Sequence, residues 1–91
     1  MIEIDNDSWY TVSEMSKIIA LKGIGRNKMM LLLRINKVLM DNNFPYQFYQ
    51  TMDMVRMHRI GRNGHTFYIP IFSEKALNFI EERFKNGHFQ K

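Results

Sequence analysis

Residues 54–71, MVRMHRIGRNGHTFYIPI, are the stretch that decides the fold class. Two strand-like runs, Met54–Ile60 and His65–Ile71, flank the segment Gly61-Arg62-Asn63-Gly64. Asn-Gly between two such runs is the strongest short-range signal for a β-hairpin. The sequence therefore predicts a hairpin with basic residues at its tip.

The register of this hairpin depends on the length of its loop. A two-residue turn at Asn63-Gly64 would place Val55 and Met57 on the opposite face from Phe67 and Ile69. Shifting the pairing by one residue moves every side chain to the other face of a strand. We therefore expect an odd-length loop or a bulge, which aligns the apolar faces. The aromatic residues of the hairpin and of the C-terminal segment are interpreted as core, with no base-stacking platform: Phe67, Tyr68, Phe79 and Phe84.

The segments on both sides of the hairpin carry clear local signals. Residues 44–49 contain four aromatic residues, so this connector is expected to dock on the core. On the C-terminal side, Ser73 is expected to cap a helix from Glu74 to about Phe84, which Gly87 closes.

Two more helices are predicted towards the N-terminus. Thr11 and Glu14 have the spacing of a capping box, so a helix of about ten residues should begin there and stop near Gly23. The run Lys28–Met40 lacks Gly and Pro and predicts a second helix, with Asn27 as a potential N-cap. Its expected exposed stripe is largely basic and consists of Asn27, Met30, Arg34, Lys37 and Asp41.

The composition limits the class of protein. The 91 residues suffice for one domain, and the net charge is +4. Residues 17–62 contain nine bases and two acids, a net charge of +7, which is typical of nucleic-acid binders. With no cysteine, signal peptide or long apolar run, we expect a protein of the cytoplasm, without a membrane partner. The expected organisation is an acidic N-terminal tail (1–9), a single winged-helix-like domain (10–86) and a C-terminal tail (87–91).

The order helix, helix, hairpin, helix predicts an α+β fold of the winged helix-turn-helix kind. In that plan the second helix enters the major groove of double-stranded DNA, and the hairpin wing contacts the flanking backbone. Lysine and arginine side chains of the second helix would then contact phosphates or guanine edges. Asn27 would contact an adenine edge, and Met30 a thymine methyl group. The expected DNA-binding residues are Arg26, Asn27, Lys28, Met30, Arg34, Lys37, Arg59, Arg62 and His65.

No residue pattern indicates catalysis. The sequence contains no phosphate-binding loop, dinucleotide fingerprint or nucleophile motif, and its histidines lack a third ligand at metal-binding spacing. We therefore expect neither an enzyme nor a cofactor. Gly61-x-x-Gly64 is similar to the backbone clamp of some RNA-binding domains, but a hairpin turn is the simpler interpretation.

One segment points to a known family. Asn43-x-Pro45-Tyr46-Gln47-x-Tyr49, together with the pattern at 11–17 and Ile24-Gly25-Arg26-Asn27-Lys28-Met29, resembles the C-terminal domain of phage antirepressor proteins of the KilA-C type. The resemblance extends from about Tyr10 to Phe84; Ala76 and Asp53 stand where that family often has Gly. It implies a phage or prophage transcription regulator in a bacterial host cell, with DNA or a phage repressor protein as partner.

Alternatives to specific DNA binding stay open on the sequence alone. The same basic surface would suit a protein-interaction module that sequesters a repressor or host factor, and an RNA-binding role is the third possibility. A homodimer would suit the symmetry of an operator.

Overall fold

The computed structural model, which describes residues 1–91, contains four strands and four helices. In chain order they are β1 (Ile2–Ile4), β2 (Asp7–Tyr10), α1 (Val12–Ile19), α2 (Arg26–Ile35), α3 (Gln47–Thr51), β3 (Val55–Arg62), β4 (His65–Ser73) and α4 (Glu74–Lys85). All four strands form one antiparallel sheet in the order β1-β2-β4-β3. The predicted winged helix-turn-helix layout is wrong, because two strands precede the helices and the hairpin belongs to a four-stranded sheet.

The first ten residues contribute two of the four strands, although residues 1–9 are predicted to be an acidic tail. Asp5 and Asn6 form the turn between β1 and β2, with φ of 51° and 70°. Trp9 on β2 is only 2% exposed, and the guanidinium of Arg56 lies 4.6 Å from the centre of its ring. The sequence of this segment contains no local signal for a strand, because β2 is held by pairing with β4, more than sixty residues later in the chain.

The β3–β4 hairpin closes with a two-residue turn, so the expected odd-length loop or bulge is wrong. Register is continuous from Val55 opposite Phe72 to Arg62 opposite His65. Asn63 and Gly64 have φ of 52° and 78°, and positive φ at both positions gives a turn whose twist matches that of the strands. The apolar faces need not coincide, because the sheet buries residues on both sides: Val55 and Phe72 belong to the main core, whereas Ile71 and Trp9 are buried outside it.

The main core lies between the helices and one face of the sheet. Helices α1 and α4 contact both β2 and β4, and α2 packs on α1. The cluster has 17 buried residues, of which α2 alone supplies Met29, Met30, Leu32 and Leu33. This packing fixes which side of α2 faces solvent.

Three predicted helix ends are confirmed. Thr11 and Glu14 form the capping box at the start of α1, and the Ser73 hydroxyl accepts a hydrogen bond from the Ala76 amide at the start of α4. At the other end of α4, Gly87 has φ of 75° and follows the C-cap, as predicted.

Helix α2 is shorter than predicted and is shifted towards the N-terminus. It begins at Arg26, after Gly25 as N-cap, and ends at Ile35 instead of Met40. Lys37 adopts φ of 62°, its amide donates to the Arg34 carbonyl, and the Val38 amide donates to the Leu33 carbonyl. This is a Schellman motif with Lys at the position where Gly is usual, so the sequence gives no stop signal there.

Candidate nucleic-acid interface

The distal half of the β3–β4 hairpin, residues 59–68, protrudes from the domain and is called the hairpin arm below. Every residue from 61 to 68 is exposed, as is Arg59, although the strands continue to pair. The long dimension of the molecule is 41 Å, against 25 and 24 Å in the other two directions. The arm contains two arginines and a histidine and no acidic residue.

Basic side chains lie on both faces of the hairpin arm. Arg59 is opposite Tyr68 and Arg62 is opposite His65. Because successive side chains of a strand alternate between faces, these two cross-strand pairs occupy opposite sides of the ribbon. A two-stranded ribbon of this kind fits the major groove of B-DNA, where arginines can bind phosphates or guanine edges.

Two aromatic residues on the arm are exposed, contrary to the expectation that they belong to the core. Phe67 is 40% and Tyr68 is 55% exposed. They lie beyond the part of the sheet that the helices cover, and only the proximal half of each strand contributes residues to the core. Their distance in sequence from the turn, only three and four residues after Gly64, is the signal that could have identified them as part of the arm. Phe79 and Phe84, by contrast, do pack with the core.

The predicted site residues at the start of α2 are accessible. Arg26, Asn27 and Lys28 are all exposed in its first turn, and the Arg26 guanidinium donates a hydrogen bond of 3.2 Å to the Asn27 side-chain oxygen. The positive end of the helix dipole adds to their charge. Lys37, just after the helix, is exposed as well. Helix α2 does not pack extensively against β3 or β4.

Two other predicted contacts on α2 are constrained by packing. Met30 is buried in the core, so its side chain is not available to a thymine methyl group, and the exposed position next to it is Leu31. Arg34 is half-buried, and its Nη1 donates a 3.0 Å hydrogen bond to Oδ1 of Asn43. The predicted stripe is therefore interrupted: Asn27 and Lys37 are exposed, but between them Met30 is buried and Arg34 is held by the following loop.

The Asn43–Tyr49 segment that carries the family resemblance has a structural role. Asn43 has φ of 68° and binds Arg34. The Tyr46 amide donates to the Val38 carbonyl at 3.1 Å, and Pro45 pairs with Leu39 in an isolated bridge. Tyr49 is buried, and burial raises the pKa of its hydroxyl above the usual value. This segment fastens the end of α2 to the core.

One arginine of β3 is already paired within the protein. Arg56 forms an ion pair with Asp53, with its Nε 3.0 Å from Oδ1, and it also stacks on Trp9. The pKa of Arg56 is raised, mainly by the hydrogen bond to Asp53, with smaller attractions from the same carboxylate and from Asp5 and Asp7. Arg59 and Arg62 form no ion pair in the structure, so their charge is available to a partner.

No three His, Asp or Glu side chains are grouped to hold a metal ion. None of the helices has the length and apolar character to cross a membrane.

A comparison with curated proteins gives one informative similarity. The chain is 29% identical over 89 residues to a protein of Bacillus subtilis (strain 168) named "SPbeta prophage-derived putative antirepressor protein YoqD". The alignment covers 93% of this chain and 36% of the relative, so the chain spans about a third of that protein's length. This similarity supports an antirepressor-like relationship. No family model and no solved structure matches the chain.

Proposed function

We propose that the protein is a phage or prophage regulator of the antirepressor kind that binds double-stranded DNA through the hairpin arm. The observation that carries the proposal is the exposure of both faces of the arm, with Arg59 and Arg62 unpaired and no acid nearby on it. The similarity to a prophage antirepressor favours a regulatory role. The proposal includes His65, which lies opposite Arg62 at the tip.

The first turn of α2 is the second element of the proposed interface. Arg26, Asn27 and Lys28 offer two positive charges and an amide at the positive end of a helix dipole. Lys37 and the outer part of Arg34 would add to the same field. We also propose that the chain is a domain of the KilA-C type, because of the resemblance of its Asn43–Tyr49 segment.

Three double variants test which element contacts DNA. Arg59→Ala/Arg62→Ala alters the arm, Arg26→Ala/Lys28→Ala alters α2, and Lys75→Ala/Lys91→Ala is the control with the same loss of charge. The two control lysines are exposed and form no ion pair. Each variant is checked for native circular dichroism and then titrated into a labelled duplex, with binding followed by fluorescence anisotropy.

The arm variant is expected to lose at least about tenfold in affinity, because a specific arginine contact is worth about 1–3 kcal/mol. The control should bind within about twofold of the wild type. Loss in the α2 variant but not in the arm variant would refute the arm as the contact. Equal losses in all three variants would show only general attraction of a basic protein to DNA.

A second candidate function is sequestration of a repressor protein. It is favoured by the exposed aliphatic side chains of Leu31 and Ile35 on α2, beside the half-buried Arg34, and by the name of the similar protein. Mixing the protein with the repressor of the same phage and separating the complex by size-exclusion chromatography tests this function. A complex that Leu31→Ser abolishes supports it, whereas no complex at about 10 μM argues for DNA as the main partner. The same experiment on the protein alone shows whether it is a homodimer.

A further inference from the structure

The outer edge of β3 has unpaired backbone groups. β3 is the last strand of the sheet, and its pairing with β4 is set by the two-residue turn and by the 2.9 Å hydrogen bond from the Ser73 amide to the Met54 carbonyl. Antiparallel pairing alternates, so residues in every second position bond to β4 while those between point outward. The outward-pointing residues are Val55, Met57, Arg59 and Gly61. None of their amide or carbonyl groups has a partner outside the sheet.

This edge lacks several devices that usually prevent strand addition. Its register with β4 is unbroken from Val55 to Arg62, so there is no bulge, and β3 contains no proline. Exposed edges of this length are typically interrupted or covered.

A groove of about 490 Å³ runs beside the proximal part of this edge. It touches Val55 and Met57, which face the core side of the sheet, and Arg56, which faces the other side. A groove that contacts both faces of one strand must lie beside its edge. The exposed Phe44, together with Pro45, Gln50 and Asp53, completes the lining. An apolar side chain of an added strand can therefore be buried there.

The charge of the edge selects the partner. Arg59 and Arg62 are unpaired, while Arg56 is neutralised by Asp53. Pairing of β3 with β3 of a second copy would place arginines from both chains along one seam, and like charges across strands are destabilising. The β1 edge of a second copy spans only three residues and offers too few groups for a ladder. An acidic, extended segment of another protein fits the edge best.

We propose that the outer edge of β3 binds an extended acidic peptide segment by β-strand addition, with an apolar side chain of the peptide in the groove formed by Phe44, Pro45 and Met57. The backbone of Met57, Arg59 and Gly61 supplies the hydrogen bonds, and Arg59, on the same face as Met57, binds a carboxylate two residues from the apolar side chain. This inference goes beyond DNA binding by the hairpin arm and does not depend on it.

The test uses a fluorescein-labelled octapeptide, Val-Thr-Glu-Thr-Val-Thr-Glu-Thr, in which valine and glutamate two positions apart project from the same face, as Met57 and Arg59 do. The matched peptide with proline in place of each threonine keeps the charge and the apolar side chains but cannot form a strand ladder. Binding is measured by anisotropy for the wild-type protein, for Arg59→Glu and for the control Lys22→Glu, which changes the net charge equally at an exposed loop position. Amide hydrogen exchange of the wild-type protein is then measured with and without the threonine-containing peptide.

Strand addition predicts slower exchange at the amides of Met57, Arg59 and Gly61, with no change at His58 and Ile60, which already bond to β4. The proline peptide and Arg59→Glu should each weaken binding at least about tenfold, and Lys22→Glu by less than about threefold. Equal binding of the two peptides, no binding at about 1 mM, or protection elsewhere on the surface would overturn the proposal. Protection of the same three amides by duplex DNA but not by the peptide would assign this edge to DNA.

Discussion

The two-residue turn of the β3–β4 hairpin can be tested with a pair of glycine substitutions. Gly64 has φ of 78° within the turn, whereas Gly61, three residues earlier on β3, has no positive φ. A Cβ added at either position meets no atom within 4 Å, so steric clashes with neighbours do not contribute. The only large difference between Gly64→Ala and Gly61→Ala is therefore the backbone conformation.

The left-handed conformation costs an L-residue about 1–2 kcal/mol. Replacing Gly by Ala also lowers the entropy of the unfolded chain, which stabilises by about 0.4–1 kcal/mol in a compatible conformation, and this gain is common to both variants. The free energy of unfolding of Gly64→Ala should thus lie about 1–2 kcal/mol below that of Gly61→Ala. For a domain of this size the difference corresponds to about 4–16 °C in Tm.

Urea denaturation followed by circular dichroism measures this difference, and amide exchange at His65 and Phe67, which bond to β3, shows whether the loss is confined to the arm. Equal stability of the two variants, in both measurements, would refute the two-residue turn. It would favour the odd-length loop that the hydrophobic pattern predicts.

Three further substitutions test other parts of the structure. Trp9→Ala should lower the free energy of unfolding by about 3–5 kcal/mol in urea denaturation, because the ring is 2% exposed, whereas a residue in a free tail would lose almost nothing. Hydrogen bonds from the N-terminal ammonium and then from the Thr11 amide lower the pKa of Glu14 below 4.5. The stability that the Glu14 carboxylate contributes is therefore present above pH 4.5 and is lost as the pH falls through the lowered pKa. The difference in free energy of unfolding between the wild type and Glu14→Gln should shrink from about pH 7 to about pH 3. Lys37→Gly should raise the free energy of unfolding by about 0.5–1 kcal/mol, since glycine relieves the left-handed conformation at φ of 62°; a loss in thermal unfolding would contradict the Schellman ending of α2.

Local signals in the sequence predicted local structure well. The capping box at Thr11, the cap at Ser73 and the closing glycine at 87 each depend on residues within a few positions, and the structure confirms all three. The end of α2 was missed because Lys37 takes a conformation in which glycine is usual.

The architecture could not be predicted from local pattern, because it depends on long-range pairing. β2 joins the sheet through Trp9 and Tyr10, which pair with Ser73 and Phe72. The pairing of β2 with β4 also explains why the predicted odd-length loop is wrong. A sheet buried on one face only would need its apolar residues aligned on that face, whereas this sheet also buries Trp9 and Ile71 apart from the main core.

The candidate site was predicted in part for the same reason. The exposed bases of the arm follow directly from the hairpin sequence, so Arg59, Arg62 and His65 are where the pattern puts them. The face of α2 was displaced, because α2 turns Met30 inward and Leu31 outward to pack on α1. Whether the remaining accessible bases contact DNA stays a prediction.

The salt dependence of DNA binding tests the central claim most directly. Fluorescence anisotropy of a random-sequence duplex is measured from about 50 to 200 mM salt for the wild type, the arm variant Arg59→Ala/Arg62→Ala and the control Lys75→Ala/Lys91→Ala. Neutralisation of about four to six phosphates predicts a log–log slope of roughly −4 to −5 for the wild type and the control, flattened by about 1–2 units in the arm variant. An arm variant with the wild-type slope, or a control that flattens it as much, would contradict DNA binding through the hairpin arm.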